Sequence, residues 1–166
     1  LRAKGKKKQA DMINRILPKG VECVFVRQSE QLGLGHAILC AERVVNDEPF
    51  AVLLADDFIH SGEVGVTSIL VEEYNRSGRN FISVMDVDVP EVSKYGVIVP
   101  GIGKNDVGGI IEKPAPEEAP SETVSIGRYV LNSNIFSILF IIPVHSCDTT
   151  GAWISWQISL IIIVIS

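Results

Sequence analysis

Two adjacent carboxylates at the end of an apolar run are the first residues of this chain with chemistry to offer. Ala51 to Phe58 reads A-V-L-L-A-D-D-F, a buried-strand pattern that delivers Asp56 and Asp57 to a strand end. In an open α/β sheet, ligands bind in the crevice outside the carboxyl ends of the strands. Both side chains offer hard oxygen atoms, and Mg²⁺ is held by one or two carboxylates plus substrate phosphates. One helix and one strand upstream lies a glycine-rich turn, Gln28-S-E-Q-L-G-L-G-His36. The primary amide of Gln28 can donate and accept side by side, as pairing with the edge of a nucleobase requires. Together the two segments read as a nucleotide and metal site. Each also has a plainer reading: the glycine turn as an entry to a helix, and the aspartates as acceptors of local backbone N–H groups.

The elements that must position these residues form one domain. With 166 residues, 46% of them apolar, the chain can build a single sizeable core. Its net charge of −5 argues against a nucleic-acid or anionic-membrane binder, which needs a basic patch to displace counterions. Cys23, Cys40 and Cys147 make neither a metal pair nor an even disulfide set, which fits a reducing, cytoplasmic setting. Ile158 to Ile165 is very apolar, but about half the length a bilayer span requires.

Apolar spacing predicts a helix over Lys4 to Leu17, stopped by Pro18 and Gly20, then a strand over Val21 to Arg27. A helix from Gly35 to Val44 leads to a strand over Phe50 to Ala55. The uninterrupted apolar run there predicts a parallel strand buried on both faces, within a βαβ unit. Glu63 to Ser77 reads as a helix and Phe81 to Val87 as a strand. Short strands at Tyr95 to Val99 and Gly109 to Glu112 predict hairpin-like extensions, followed by a proline-rich loop over Pro114 to Pro120. A strand over Ser125 to Leu131 and a helix from Ser133 to Leu139 complete the pattern. Residues 141–166 contain no Lys, Arg or Glu and hold both tryptophans. This shift predicts a domain over residues 1–140 followed by an atypical apolar tail, the product of a frame-shifted or mis-spliced reading.

Six motifs in fixed order carry a resemblance. They are Val26-R-Q-S-E-Q-L-G-L-G-H-A-I-L-Cys40, Asp47-E-P-F-A-V-L-L-A-D-Asp57, Lys94-Y-G-Val97, Ile111-E-K-Pro114, Pro116-E-E-A-P-Ser121 and Ile126-G-R-Y-V-Leu131. The chain resembles bacterial UTP–glucose-1-phosphate uridylyltransferases over roughly residues 1 to 139. The resemblance implies a Rossmann-like, three-layer α/β/α nucleotidyltransferase fold. It further implies a mainly parallel sheet with β-hairpin extensions, incomplete here at both ends. It implies Mg²⁺-dependent reaction of UTP with glucose 1-phosphate to give UDP-glucose and pyrophosphate, and self-association into a homo-oligomer. In those roles Gln28 and Gly33 would meet the nucleotide and Asp56 the metal. Glu112 and Lys113 would meet the sugar and its phosphate, while Gly96 and Gly127 would present backbone to the sugar or nucleotide. The catalytic pair would be Asp56 and Lys113.

The family also has a G-x-G-T-R loop, a second metal aspartate and a G-E-I-Q-L-T-D segment that are not found in this sequence. A chain lacking them is expected to bind UTP weakly and turn over little. Two other readings stay open: a sugar-nucleotide transferase that uses dTTP, and a non-catalytic sugar-phosphate-binding module.

Overall fold

The computed structural model describes residues 20–141 and 161–165, together with Lys8 and Met12. The helix expected over Lys4 to Leu17 therefore lies almost wholly outside the described residues, as does much of the apolar tail.

Strand β1, Phe50–Leu54, sits at the centre of the packing. Side chains alternate across a strand. Phe50, Val52 and Leu54 accordingly join one buried cluster, with Ile38, Val45, Leu131 and Phe136. Ala51 and Leu53 meet Leu70, Val130 and Phe81 on the other side. Helices α1 (Gly33–Cys40), α2 (Glu42–Val45) and α4 (Ile135–Ile141) belong to the first layer, where the Phe50 and Phe136 rings stack at 5.2 Å. Helix α3, Val66–Ser77, covers the second face with Val66, Leu70 and Tyr74, four residues apart and so on one side of the helix. Gly78, left-handed, closes it by donating its N–H to Tyr74 O at 2.7 Å. The three layers expected from the resemblance are present. No helix among the described residues is long and apolar enough to cross a membrane.

Strands β2 (Phe81–Asp86), β3 (Gly96–Pro100), β4 (Val107–Glu112), β5 (Thr123–Leu131) and β6 (Ile161–Ile165) complete the sheet. The order is β4-β3-β5-β1-β6, with β2 on β5 as well. β5 organises it. Its residues Arg128 to Leu131 pair with β1 and Val124 pairs with Val97 of β3, while β2 follows the length of β5 from Val130 to Thr123. Val92, Val97 and Val124 form a separate small core under the β3–β4 hairpin. The chain is thus a layered body and a hairpin lobe joined along one strand.

Two expectations need correction. β1 is not parallel to its neighbours: it runs antiparallel to both β5 and β6, and every strand pairing among the described residues is antiparallel. Burial on both faces follows from helices on both sides and does not report strand direction. Val21 to Arg27 forms no strand ladder, and Val24 and Phe25 stand 63% and 84% exposed. β-branched composition favours a pleated surface only where a partner strand is at hand.

Candidate functional site

The edge of β5 facing β1 and β3 is occupied at its two ends and open in the middle. β1 reaches as far as the Leu53–Arg128 pair and β3 begins at the Val97–Val124 pair, which leaves Ser125 to Gly127 between them. Into this gap run the turn that leaves β1, carrying Asp56 and Asp57, and the Tyr95–Gly96 approach to β3. Gly127 makes the junction possible. Its φ is +66°, and a Cβ on it would collide with the Asp57 carboxylate and stand 3.0 Å from Leu54 Cβ. The register between β2 and β5 shifts opposite this point, between Ile82 and Val84, as a bulge demands.

Arg128, the next residue, secures the acidic turn. Its guanidinium donates to Leu54 O at 3.1 Å, Asp57 O at 2.6 Å and Gly127 O at 2.9 Å. Asp57 is half-buried beside it. Burial, together with the neighbouring Asp56 charge, pushes its carboxyl above the usual carboxylate range, and Arg128 opposes that shift. Asp56 is exposed. Oxygen-rich and crowded with negative charge, the pair suits a hard cation. No cluster of three or more His, Cys, Asp or Glu side chains that could hold a metal occurs among the described residues.

From the lobe side, Gly96 pairs in register with Glu112, and Glu112 Oε2 lies 2.9 Å from where a Gly96 Cβ would be. Lys113 follows at φ +43°, its N–H donating to Tyr95 O at 2.8 Å. A non-glycine residue in that region directly before a proline is strained, and such strain gathers at ligand sites. Tyr129 links the two sides. Its hydroxyl is 3.0 Å from Ser125 Oγ, and burial raises its pKa, with Asp57 and Glu112 adding to the rise and the Ser125 hydrogen bond opposing it. Both carboxylates therefore act in one direction on a half-buried phenol.

Gln28 and Gly33 form a turn of their own. Gln28 Nε2 donates to Gly33 O at 3.1 Å and lies 2.9 Å from His36 Nδ1. Gly33 starts α1 at φ +85°, where a side chain would be strained. The amide nitrogen of Gln28 is thus engaged within the turn, and α1 ties that turn to the β1 layer through Leu34 and Ile38. The structure therefore brings Asp56, Gly96, Glu112, Lys113 and Gly127 to the two banks of one gap and gives Gln28 and Gly33 a separate turn. The sequence assigns no role to Arg128 or Tyr129, and His36 reads only as a helix-start residue. The first two stand beside Gly127 in one of the six motifs, but the contacts of Arg128 with Leu54 and Asp57 cross the domain and leave no local signal.

At the opposite end of β1 a concavity bordered by Glu42, Asn46, Asp47, Ser133 and Phe136 holds none of these groups.

A family model described as nucleotidyl transferase matches residues 4–153. The chain is 49% identical over 118 residues to the UTP–glucose-1-phosphate uridylyltransferase YngB of Bacillus subtilis, covering 69% of this chain and 39% of that protein. A UDP-glucose pyrophosphorylase from Acinetobacter baumannii superposes with a TM-score of 0.73 at 37% identity, over 87% of this chain and 53% of that one. A UDP-glucose pyrophosphorylase complexed with UDP-glucose does so with a TM-score of 0.63 at 39% identity, over 69% and 45%. The chain spans about two fifths of the length of curated relatives such as the B. subtilis protein.

Proposed function

We propose a uridylyl-transfer role for this chain from one premise: it belongs to the nucleotidyl transferase family. The reaction joins UTP and glucose 1-phosphate to give UDP-glucose and pyrophosphate. The names of the similar proteins support it, and one structural observation carries it: the gap at Ser125 to Gly127 of β5 has the acidic turn against Gly127 on one bank and Gly96 with its register partner Glu112 on the other. On the β1 bank, Asp56 would supply oxygen to a Mg²⁺ ion, and Asp57 stays against Gly127. On the lobe bank, Glu112 accepts hydrogen bonds from sugar hydroxyls, and Lys113 meets the sugar phosphate as a point charge. Gly96 and Gly127 leave room for ligand to approach backbone. Gln28 Oε1 accepts from the base, and the Gly33 backbone lies beside base or ribose.

The sugar-phosphate oxygen attacks the α-phosphorus of UTP in line, and pyrophosphate leaves with the bond pair. The metal, when bound, would neutralise charge gathering on the phosphate oxygens. The residues themselves position and neutralise; the phosphate oxygen is the nucleophile and no side chain need be. The setting is the cytoplasm, and a homo-oligomer is the working assembly.

The test is calorimetric titration of the purified chain with UTP and with UDP-glucose, with Mg²⁺ or with EDTA, beside chromatography for UDP-glucose formed. Binding that Mg²⁺ strengthens, and that Asp56→Asn deprives of its Mg²⁺ dependence, is expected. A folded chain that binds neither nucleotide would end the proposal.

A further inference from the structure

Arg128 ties the acidic turn to β5 through long-range side-chain contacts, and nothing in a transfer reaction requires a half-buried cation behind that turn. Its guanidinium donates to three backbone carbonyls. Two of them, Leu54 O and Asp57 O, bracket the turn that carries Asp56, and they lie 74 and 71 residues from Arg128 in sequence. Its own carbonyl accepts from Ser83 Oγ at 3.1 Å, and Ser83 is a buried polar residue on β2 at the register shift. Arg128 is therefore held from the β2 side through its backbone and reaches the β1 side through its side chain. A planar guanidinium can serve three acceptors at fixed angles, which a flexible ammonium cannot reproduce.

We propose that Arg128 is a positioning residue that clamps the turn 54–57, so that Asp56 is presented to the metal–nucleotide complex in one fixed orientation. This rests on the uridylyl-transfer reading for what the turn presents, but the clamp is a property of the chain alone. Arg128 touches carbonyls of the turn and acts through Asp56. Carbonyls that lose this donor are free to turn toward water, and the aspartate they frame then samples several directions. Residues that orient a metal ligand from behind commonly govern affinity for the metal without touching it.

Two readings on Arg128→Met and Arg128→Lys decide the matter. The first is amide hydrogen exchange by NMR on the ligand-free chain. In R128M the amide of Asp57, which donates to Leu54 O at 3.4 Å, should exchange about tenfold faster while those of Val52 and Val130 keep their protection. The second is the gain in UTP affinity that Mg²⁺ provides over EDTA. That gain should fall about tenfold in R128M, with the affinity in EDTA changing by less than about twofold, and R128K should lie between. A merely structural residue would weaken both affinities together. The proposal is overturned if exchange at Asp57 stays at the wild-type rate, or if the Mg²⁺ gain survives. Should R128M fail to fold, the same readings on R128K decide. If the wild-type chain binds no UTP, the functional reading falls and the exchange result alone judges the clamp.

Discussion

The two turns proposed to meet the nucleotide and its metal are built on opposite plans. The Gln28–His36 turn closes on itself: the described partners of the Gln28 amide nitrogen lie five and eight residues away. The turn after β1 is held from β5 by Arg128 across more than seventy residues, with Gly127 giving way to the Asp57 carboxylate. A self-closed turn keeps its shape when the domain loosens, and depends on α1 only for its placement. A cross-tied turn has no shape apart from the fold. Base-directed and metal-directed chemistry would thus be exposed to different failures of the same molecule.

The sharpest way to break this comparison is at the bulge. Gly127→Ala forces a side chain into positive φ and against Leu54 and Asp57, and should destabilise the domain by about 2 to 4 kcal/mol in urea unfolding. Gly33→Ala carries comparable backbone strain at φ +85°, for which about 1 to 2 kcal/mol is expected. Equal losses in the two variants would mean that the turns are not built differently. Gln28→Ala should lower stability by about 1 kcal/mol and leave the NMR shifts of Ala55 to Asp57 in place; movement there would show the turns to be coupled. The smallest effect concerns Tyr129. Followed at 295 nm in a background with Tyr74 and Tyr95 replaced by Phe, its hydroxyl should titrate above its ordinary value of 10.0. Because Glu112 adds to the rise, Glu112→Gln should bring that titration down. The folded state holds this proton longer than the unfolded one, so Tyr129 contributes stability below pH 10 that is lost as pH climbs through the raised value. An unchanged titration in E112Q would part the lobe from the acidic turn.

Much of the fold was legible because its signals are local. Phe50 to Ala55 was placed to within a residue of β1, and the helix ending at Ser77 was fixed by Gly78. Strand direction was not legible. An apolar run says that both faces are covered, and here α1 and α3 cover them whichever way β5 runs. Val21 to Arg27 had the composition of a strand, yet a ladder is a property of two segments and composition describes one. At the candidate site the asymmetry repeats: Asp56 and Glu112 announce themselves by residue type beside a strand end. The Asp57–Gly127–Arg128 arrangement involves residues brought together only by the β1–β5 register.

That register also has a history in time. At about 5 to 20 residues per second, a ribosome that has finished Leu54 needs roughly 4 to 15 s more to reach Arg128. Throughout that interval Phe50, Val52 and Leu54 have no β5 to lie against, a delay that high-contact-order pairings impose in general. A nascent chain halted before residue 128 should therefore be a good client for chaperones that grip extended apolar peptide, and release should follow once the arginine has been added.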